Sequence, residues 1–304
     1  MTKGRVAIGV DIGGTNIRAG VVREDGDILK IVSEKIPHNK KEILNKIHEM
    51  IKKVMVRDIS AIGIGIAGPI NNATGIIYPP NIKQLDKVNI VTEMNKYNIP
   101  IVIENDGNCF SFAECKVGSA KKYTNILGIA IGTGIGCGII INGNIYSGRD
   151  GAAGEIGHIV IDLNAKSVGR GIPGSFENLA SGTAITRRAD ELIRDNKSII
   201  KKGSLASEII AASKKGDKVA KKVVEDTGKY LGIGLASLIN VFNPDVIVLG
   251  GTISKYISHF DKNMKHEISK RGMMPAKKVK IVRSTLEEPG LVGAALVGLN
   301  EISN

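Results

Sequence analysis

The sequence predicts an α/β protein of two domains, each built on a mixed β-sheet with helices on its faces. One observation is the order of the apolar segments, which reads strand-strand-strand-helix-strand-helix-strand and then begins a similar series again. A second is the length of 304 residues, since chains of this size usually divide into two cores. A third is the content of 37 glycines, whose densest groups follow predicted strands.

The first 36 residues predict a meander of three strands. Residues 5–11 form an apolar run rich in β-branched side chains, and residues 16–23 and 28–36 supply the second and third strands. Gly13-Gly14 and Asp25-Gly26 provide the two turns between them. The first domain therefore begins with three strands that are adjacent in the sheet.

The segment that follows predicts a helix, a strand, a short helix and a strand. Residues 59–67 form a buried strand that Gly68-Pro69 interrupts, a short helix lies near 89–97, and residues 99–104 form the next strand. Residues 39–57 precede them and have apolar side chains at helical spacing, namely Ile43, Ile47, Met50, Ile51 and Val54. This order completes a mixed sheet with helices.

The pattern then begins again, which predicts a diverged structural duplication with one copy per domain. Residues 108–117 suit a helix and residues 125–131 an apolar strand. A glycine turn at 132–138 leads into the strands 138–141 and 144–146. Both copies therefore have an apolar strand that enters a turn of small residues and returns as a strand.

The remaining residues predict a helical region and one more strand pair. Residues 181–242 are mostly helical and end at Asn243-Pro244. The later elements are a strand at 245–249 that runs into Gly250-Gly251, a helix at 255–271, a strand at 278–283 and a closing helix at 290–300. We expect residues 1–104 and 286–304 to form the smaller domain and residues 105–285 the larger one.

Composition excludes several classes of protein. The net charge of +12 favours anionic partners, but aromatic residues make up only 4% of the chain, so no stacking surface for bases is predicted. The three cysteines form no C-x-x-C pair, which argues against disulfides and favours a reducing compartment. The longest uncharged run, 126–141, is too short and too rich in glycine to cross a membrane. A cytoplasmic protein without a membrane partner is expected.

Four glycine turns at strand ends are candidates for phosphate binding, because exposed backbone N–H groups in such turns bind anions. They lie at residues 13–15, 63–68, 132–138 and 250–251. The chain has no P-loop motif. Gly63–Gly68 matches G-x-G-x-x-G, but its glycines lie within a strand and Pro69 follows, so a dinucleotide fold is not predicted there.

The segment Asp11–Thr15 is more specific, because an acidic side chain precedes two glycines and a threonine. The carboxylate of Asp11 can hold Mg²⁺ directly or through water while the turn holds phosphate. Gly132-Thr133-Gly134 repeats the turn without the acid. Two such turns predict one nucleotide held from both sides of a cleft; the alternative is two glycine hairpins that only pack.

Two acids and two amides lie together at residues 104–108, where a strand ends and a helix begins. Such groups can orient hydroxyls and accept a proton, as phosphoryl transfer to an alcohol requires. The alternative is a helix N-cap, for which Asp and Asn are favoured.

Taken together, these segments resemble the ROK family of sugar kinases and sugar-responsive repressors. The resemblance rests on DIGGTN at 11–16, GTGIG at 132–136, Glu155-Ile-Gly157-His158 and LGG at 249–251, in the right order along nearly the whole chain. It implies two ribonuclease-H-like domains of the actin/hexokinase/Hsp70 ATPase fold with a cleft between them. ROK repressors carry an N-terminal helix-turn-helix, and a phosphate motif at Asp11 leaves no room for one, so no nucleic-acid partner is expected.

The resemblance also implies a role for each matching residue. Asp106 matches the catalytic base that takes the proton from the sugar hydroxyl. The implied sugar ligands are Gly68, Asn81, Asn105, Asp106, Glu155, His158 and Glu177. The implied nucleotide and phosphate ligands are Asp11, Gly13, Gly14, Thr15, Gly132, Thr133, Gly134, Gly250 and Gly251, with Ser181-Gly182-Thr183 also on the nucleotide side and Thr252 near the adenosine. ATP is the implied cosubstrate and Mg²⁺ the cofactor, with Asp11 supporting the metal. The helix from Gly290 resembles an interdomain hinge, and the family is commonly dimeric or tetrameric.

The chain departs from the family at two places. A tryptophan that often follows the sugar-binding asparagine by four residues is Leu85 here. Many members hold zinc with a histidine and three cysteines, but the cysteine positions are Val168, Arg170 and Ser175 here. Because one imidazole cannot form a tetrahedral site, we predict that the protein has no structural zinc.

Three functions follow from the resemblance and stay open at the level of sequence. The first is an ATP-dependent kinase that phosphorylates the 6-hydroxyl of a hexose, with glucose as the expected substrate. The second is an N-acetylhexosamine kinase, especially for N-acetylmannosamine. The third is a non-catalytic sugar sensor, against which Asp11, Asp106 and the two phosphate turns argue.

Overall fold

A computed structural model of the protein describes residues 4–71, 74–165 and 171–302. It contains two five-stranded sheets with helices packed on them. The first sheet has the order β3-β2-β1-β4-β5. Its strands are β1 (Val6–Ile12), β2 (Asn16–Arg23), β3 (Ile28–Lys35), β4 (Ile59–Ile66) and β5 (Ile101–Asn105).

The first sheet is mixed, as predicted. The three strands of the meander pair antiparallel, whereas β1, β4 and β5 run parallel. Helix α1 (Lys40–Val54) buries the five apolar side chains that predicted it, and these enter the core of this sheet. The short helix α2 (Ile90–Glu93) precedes β5.

Helices α3 (Asp106–Lys116) and α10 (Pro289–Glu301) pack closely against each other and against the first sheet. A Cβ atom on Gly293 of α10 would lie 1.8 Å from the carbonyl oxygen of Cys109 in α3. A Cβ atom on Gly63 of β4 would lie 1.7 Å from the carbonyl oxygen of Ala294. The glycines in β4 therefore let a helix approach the strand.

The second sheet has the order β10-β9-β6-β7-β8 and is also mixed. Its strands are β6 (Ile126–Ile131), β7 (Ile135–Ile141), β8 (Asn144–Ile145), β9 (Val246–Gly250) and β10 (Lys280–Arg283). The remaining helices are α4 (Phe176–Ala180), α5 (Gly182–Leu192), α6 (Ala206–Lys214), α7 (Lys218–Phe242), α8 (Gly251–Ser254) and α9 (Asp261–Arg271). The predicted α/β class with two mixed sheets is confirmed.

The chain divides into two compact units. The first comprises residues 1–128, 138–154 and 284–304, and the second comprises residues 129–137 and 155–283. Strands β6 and β7 thus pass from one unit to the other. The predicted domain boundaries, 1–104 with 286–304 and 105–285, stay a prediction.

Two predicted elements differ from the structure. Strand β7 begins at Ile135 instead of residue 138. A Cβ atom on Gly138 would lie 2.2 Å from the carbonyl oxygen of Gly107. Gly138 therefore lets helix α3 approach strand β7 and is not part of the turn. The predicted helix 255–271 is a 3₁₀ turn at 257–259 followed by α9, since residues three apart share a face in both kinds of helix.

No helix in the three described stretches of chain is long and apolar enough to cross a bilayer.

Candidate functional site

The carboxyl ends of β1, β4 and β5 carry the first set of predicted site residues. The parallel pairing sets Asp11 beside Gly65, and Ile66 beside Asn105. Gly68 follows β4 after two residues, and Asp106 is the first residue of α3. In open α/β sheets, ligands bind at this edge of the sheet.

The surroundings of the Asp11 carboxylate disfavour its charged form. Its side chain is 18% exposed, and Oδ2 accepts a hydrogen bond of 3.3 Å from Nη1 of Arg18. Burial and the negative charge of Asp106 raise the pKa of Asp11 to about 6, although Arg18 opposes this shift. A further positive charge beside Asp11 would therefore be stabilising.

Asn105 caps helix α3, as one of the two interpretations of residues 104–108 predicts. Its side-chain oxygen accepts hydrogen bonds from the backbone N–H groups of Gly107 at 2.8 Å and Asn108 at 3.1 Å. Its Nδ2 donates to the carbonyl oxygen of Gly68 at 3.1 Å. Asn105 therefore joins the end of β5 to the loop after β4.

Asp106 occupies the first turn of α3 and is exposed. Its Oδ1 accepts a hydrogen bond of 2.9 Å from the N–H group of Gly107. Because Asn105 supplies the N-cap, the carboxylate of Asp106 lies at the sheet edge without being the cap. The N-cap interpretation thus describes Asn105 and leaves Asp106 as the candidate base.

Glu104 and Asn108 form hydrogen bonds that hold the junction between β5 and α3, a role that the sequence reasoning missed. Oε1 of Glu104 accepts hydrogen bonds from the N–H group of Asn105 at 2.7 Å and from Nδ2 of Asn108 at 3.0 Å. Burial raises the pKa of Glu104. The spacing of four residues between Glu104 and Asn108, across a strand-helix junction, is the sequence feature that could have indicated this contact.

The two loops that resemble sugar-contacting segments lie against each other. Gly68 has a φ of +103°, and a Cβ atom there would lie 2.5 Å from the carbonyl oxygen of Tyr78. The N–H group of Tyr78 donates to the carbonyl oxygen of Pro69 at 3.0 Å. Asn81 is exposed, and its Cβ lies 3.5 Å from the position of a Cβ atom on Gly14.

The structure thus brings Asp11, Gly14, Gly68, Asn81 and Asn105 to neighbouring strand ends and loops of the first unit. Gly13 and Thr15 belong to the same turn, which a hydrogen bond of 3.0 Å from Gly13 N–H to the Asn16 carbonyl closes. Leu85, which replaces the family's tryptophan, is fully buried in the core.

The second unit holds the other glycine turn. The N–H group of Gly132 donates to the carbonyl oxygen of Gly134 at 2.9 Å. The carbonyl oxygen of Gly132 accepts from the N–H group of Gly182 at 2.8 Å, and Oγ1 of Thr183 donates to the Thr133 carbonyl at 2.8 Å. These bonds tie the turn between β6 and β7 to the start of α5.

A cavity of about 650 Å³ opens beside this turn within the second unit. Three segments that resemble nucleotide-side motifs line it, through Gly132 with Thr133, Gly182 with Thr183, and Thr252. Gly250 and Gly251 precede Thr252 at the end of β9. The sequence reasoning missed several further lining residues, which are Thr186, Arg187, Asp190, Leu205, Ala206, Ser207, Ile253, Lys255 and Tyr256. Their separation along the chain left no sequence signal.

Glu155, His158 and Glu177 also belong to the second unit. Oε2 of Glu155 lies 3.6 Å from Nε2 of His158 at a 3₁₀ turn, and both side chains are exposed. Oε2 of Glu177 accepts a hydrogen bond of 2.8 Å from the N–H group of Ile135, directly after the glycine turn. Glu177 thus connects the start of α4 to that turn.

Comparison with known proteins decides the family. The sequence profile of the ROK family matches residues 7–300. The chain belongs to the ROK family. It is 33% identical to the glucokinase of Thermotoga maritima over 260 residues, which are 82% of each chain.

Both branches of the ROK family are represented among the relatives. The xylose repressor of Bacillus subtilis is 32% identical over 278 residues, 88% of this chain and 70% of the repressor. The structure of a ROK glucokinase from Streptomyces griseus in complex with glucose and AMPPNP superposes with a TM-score of 0.82 at 29% identity, over 97% of this chain and 99% of that one. The fold that the resemblance implies is therefore confirmed.

The zinc positions of other ROK proteins are occupied differently here. Val168 and Arg170 lie outside the described residues. Ser175 is the N-cap of α4 and accepts a hydrogen bond of 3.4 Å from the N–H group of Asn178. The side chain at the third predicted cysteine position of the family's motif is therefore a hydroxyl that caps a helix. The absence of structural zinc stays a prediction.

Proposed function

We propose that this ROK protein is an ATP-dependent sugar kinase that transfers the γ-phosphoryl group to the 6-hydroxyl of glucose. The observation that carries the proposal is the presence of Asp11 and Asp106 at one edge of the first sheet, where β1 ends and α3 begins. A sugar sensor needs sugar contacts but neither of these acids. The glucokinase relatives support the same choice.

Asp106 is proposed as the catalytic base. The 6-hydroxyl gives its proton to the Asp106 carboxylate while its oxygen forms a bond to the γ-phosphorus. The bond from that phosphorus to the bridging oxygen breaks, and ADP leaves. Asn105 fixes the first turn of α3, and with it the position of Asp106, through its two cap bonds.

Asp11 is proposed to hold Mg²⁺, directly or through water. The site fits a cation, because burial and a neighbouring carboxylate both disfavour the charged form of Asp11. Bound Mg²⁺ would neutralise charge on the phosphates of ATP. Gly13, Gly14 and Thr15 would offer backbone N–H groups and a hydroxyl to the phosphates.

The nucleotide is proposed to use the cavity of the second unit. Gly132, Thr133 and Gly134 would contact its phosphates, and the segment Gly250–Thr252 would lie near the adenosine. The cavity of about 650 Å³ lies within the usual range for small-molecule sites. Three chain segments far apart in sequence line this cavity, which supports the proposal.

The sugar is proposed to contact the residues that the family resemblance names, which are Gly68, Asn81, Asn105, Glu155, His158 and Glu177. Carboxylates and an imidazole suit the alternating donors and acceptors of a sugar. The hydrogen bond from Ile135 to Glu177 gives that residue a second role, which is to hold the phosphate turn.

We further propose that the protein works in the cytoplasm as a homodimer or homotetramer. Its three cysteines are buried and form no disulfide, which fits a reducing compartment. Light scattering of the purified protein measures its oligomeric state.

One experiment tests the proposed function. ADP release is measured with ATP and each of glucose, mannose, glucosamine, N-acetylglucosamine and N-acetylmannosamine. The highest kcat/KM is expected with glucose. A preference for an N-acetyl sugar would replace glucose with the second hypothesis, and the absence of turnover with binding of a sugar would favour the sensor.

A further inference from the structure

A single guanidinium group links two carboxylates in the first unit. Nη1 of Arg18 lies 3.3 Å from Oδ2 of Asp11, and Nε of the same side chain lies 3.1 Å from Oε2 of Glu288. Arg18 lies directly opposite Asp11 in the antiparallel pair of β1 and β2. Glu288 comes from the far end of the chain, where it immediately precedes helix α10.

The backbone of Glu288 adopts a conformation that is unfavourable for its residue type. Its φ and ψ are 45° and 51°, in the left-handed region that favours glycine. Its side chain makes no capping hydrogen bond to α10. The side chains of Arg18 and Glu288 are 32% and 39% exposed, and an ion pair this exposed adds little stability. Stability alone therefore does not explain a glutamate at this position, and such outliers occur preferentially at functional sites.

Gly290, in the first turn of α10, lies close to Asp11. A Cβ atom on Gly290 would lie 3.4 Å from the carboxyl carbon of Asp11. The segment from Glu288 to Gly290 therefore lies near the carboxylate that we propose supports the metal. Gly290 lies close to that carboxylate, and Glu288 pairs with the Arg18 side chain that contacts it.

We infer that Glu288 is a positioning residue for phosphoryl transfer. By holding Nε of Arg18, it keeps the guanidinium in contact with one oxygen of Asp11 and leaves Oδ1 available to the cation. Without Glu288, the planar guanidinium can turn and pair with both oxygens of Asp11, which then competes with metal binding. This inference rests on the proposed function and names a residue that acts through Arg18.

The test uses Glu288→Gln, with Glu287→Gln as the control because Glu287 is an exposed neighbour of the same type. Two quantities are measured, namely kcat with the preferred sugar and the affinity for ADP with and without Mg²⁺. We expect Glu288→Gln to lower kcat about tenfold and to reduce the gain in ADP affinity from Mg²⁺ by at least about threefold. The KM for sugar and the ADP affinity without Mg²⁺ should match those of the wild type, as should every value for Glu287→Gln.

Two more variants separate positioning from folding. Glu288→Gly relieves the left-handed backbone, so we expect its Tm to rise by about 2 °C while its activity falls as in Glu288→Gln. Adding Glu288→Gln to Arg18→Met should cause no further loss, since the glutamate acts through the arginine. A wild-type response of ADP affinity to Mg²⁺ in Glu288→Gln overturns the inference. If the wild type phosphorylates no sugar, the proposed function fails, and the ADP measurement still decides the role of Glu288.

Discussion

The side chain of Asn105 donates a hydrogen bond of 3.1 Å to the carbonyl oxygen of Gly68. Through this bond the end of β5, where α3 begins, is fixed to the loop after β4. The amide oxygen of the same side chain caps α3. Asn105 thus holds in place both the loop that resembles a sugar-contacting segment and the first turn of α3, which contains Asp106.

Replacement of Asn105 separates these two roles. We expect Asn105→Ala to lower the free energy of unfolding by about 1–2 kcal/mol, because it loses the cap and the bond to Gly68. Asn105→Asp keeps a capping oxygen but no donor, so its loss should be less than half as large. Denaturant unfolding measures both. Equal losses in the two variants would contradict the capping role.

Asp106→Ala should lower turnover severely while the protein largely keeps its sugar affinity. A general base contributes about 10²–10⁴-fold to the rate, so kcat should fall within that range. Calorimetric titration with the preferred sugar should give a Kd close to that of the wild type. Asp106→Asn serves as the isosteric control and should be equally slow. Turnover retained in either variant would remove Asp106 as the base.

The cavity of the second unit can be filled from helix α6. Ala206 lines the cavity, whereas Ala211 lies on the same helix outside the lining and is exposed. Ala206→Trp should raise the KM for ATP at least about tenfold, because the indole occupies space that the nucleotide needs. Ala211→Trp should leave that KM unchanged. Similar ATP kinetics in both variants would place the nucleotide elsewhere.

The raised pKa of Glu104 predicts a dependence of stability on pH. Burial favours the protonated carboxyl in the folded state, so the folded protein binds more protons than the unfolded chain above the usual pKa near 4.5. The free energy of unfolding therefore decreases as pH rises through the raised pKa. Glu104→Gln keeps an acceptor for Asn105 and Asn108 and removes this dependence.

The Glu104→Gln variant should thus gain stability relative to the wild type at pH 7.5 but not at pH 4. Urea unfolding at the two pH values measures the difference. Glu49→Gln is the contrasting variant, because Lys46 and Lys53 lower the pKa of Glu49 to about 2. It should show no gain at pH 7.5. A gain from Glu104→Gln that is equal at both pH values would exclude linkage as its cause.

Gly63 tests the close packing of α10 on the first sheet. Its Cβ atom would lie 1.7 Å from the carbonyl oxygen of Ala294, so Gly63→Ala should cost at least about 2 kcal/mol or prevent folding. Gly136, also in a strand, has no atom within 4 Å of a Cβ. Gly136→Ala should change the free energy of unfolding by less than about 0.5 kcal/mol. Comparable Tm values for the two variants would contradict this packing.

Sequence predicted most elements of the fold because their apolar periodicity is long and their turns carry glycine. Strand β2 has the predicted bounds, and α1 buries the five predicted side chains. The errors occurred where periodicity cannot distinguish structures. The spacing in 255–271 suits a 3₁₀ turn and an α-helix equally, and the glycines of β7 resemble a turn although Gly138 serves a helix contact.

By itself, the sequence determined the α/β class, the ROK family and the residues that match its motifs, because these depend on residue type and order along the chain. Only the tertiary structure decided which groups are neighbours. It made Asn105 the cap that leaves Asp106 at the sheet edge, and it gathered three distant segments around one cavity. It also brought Glu288 to Arg18 and Gly290 to Asp11. Such contacts join residues far apart in the chain, and no local pattern encodes the path that brings them together.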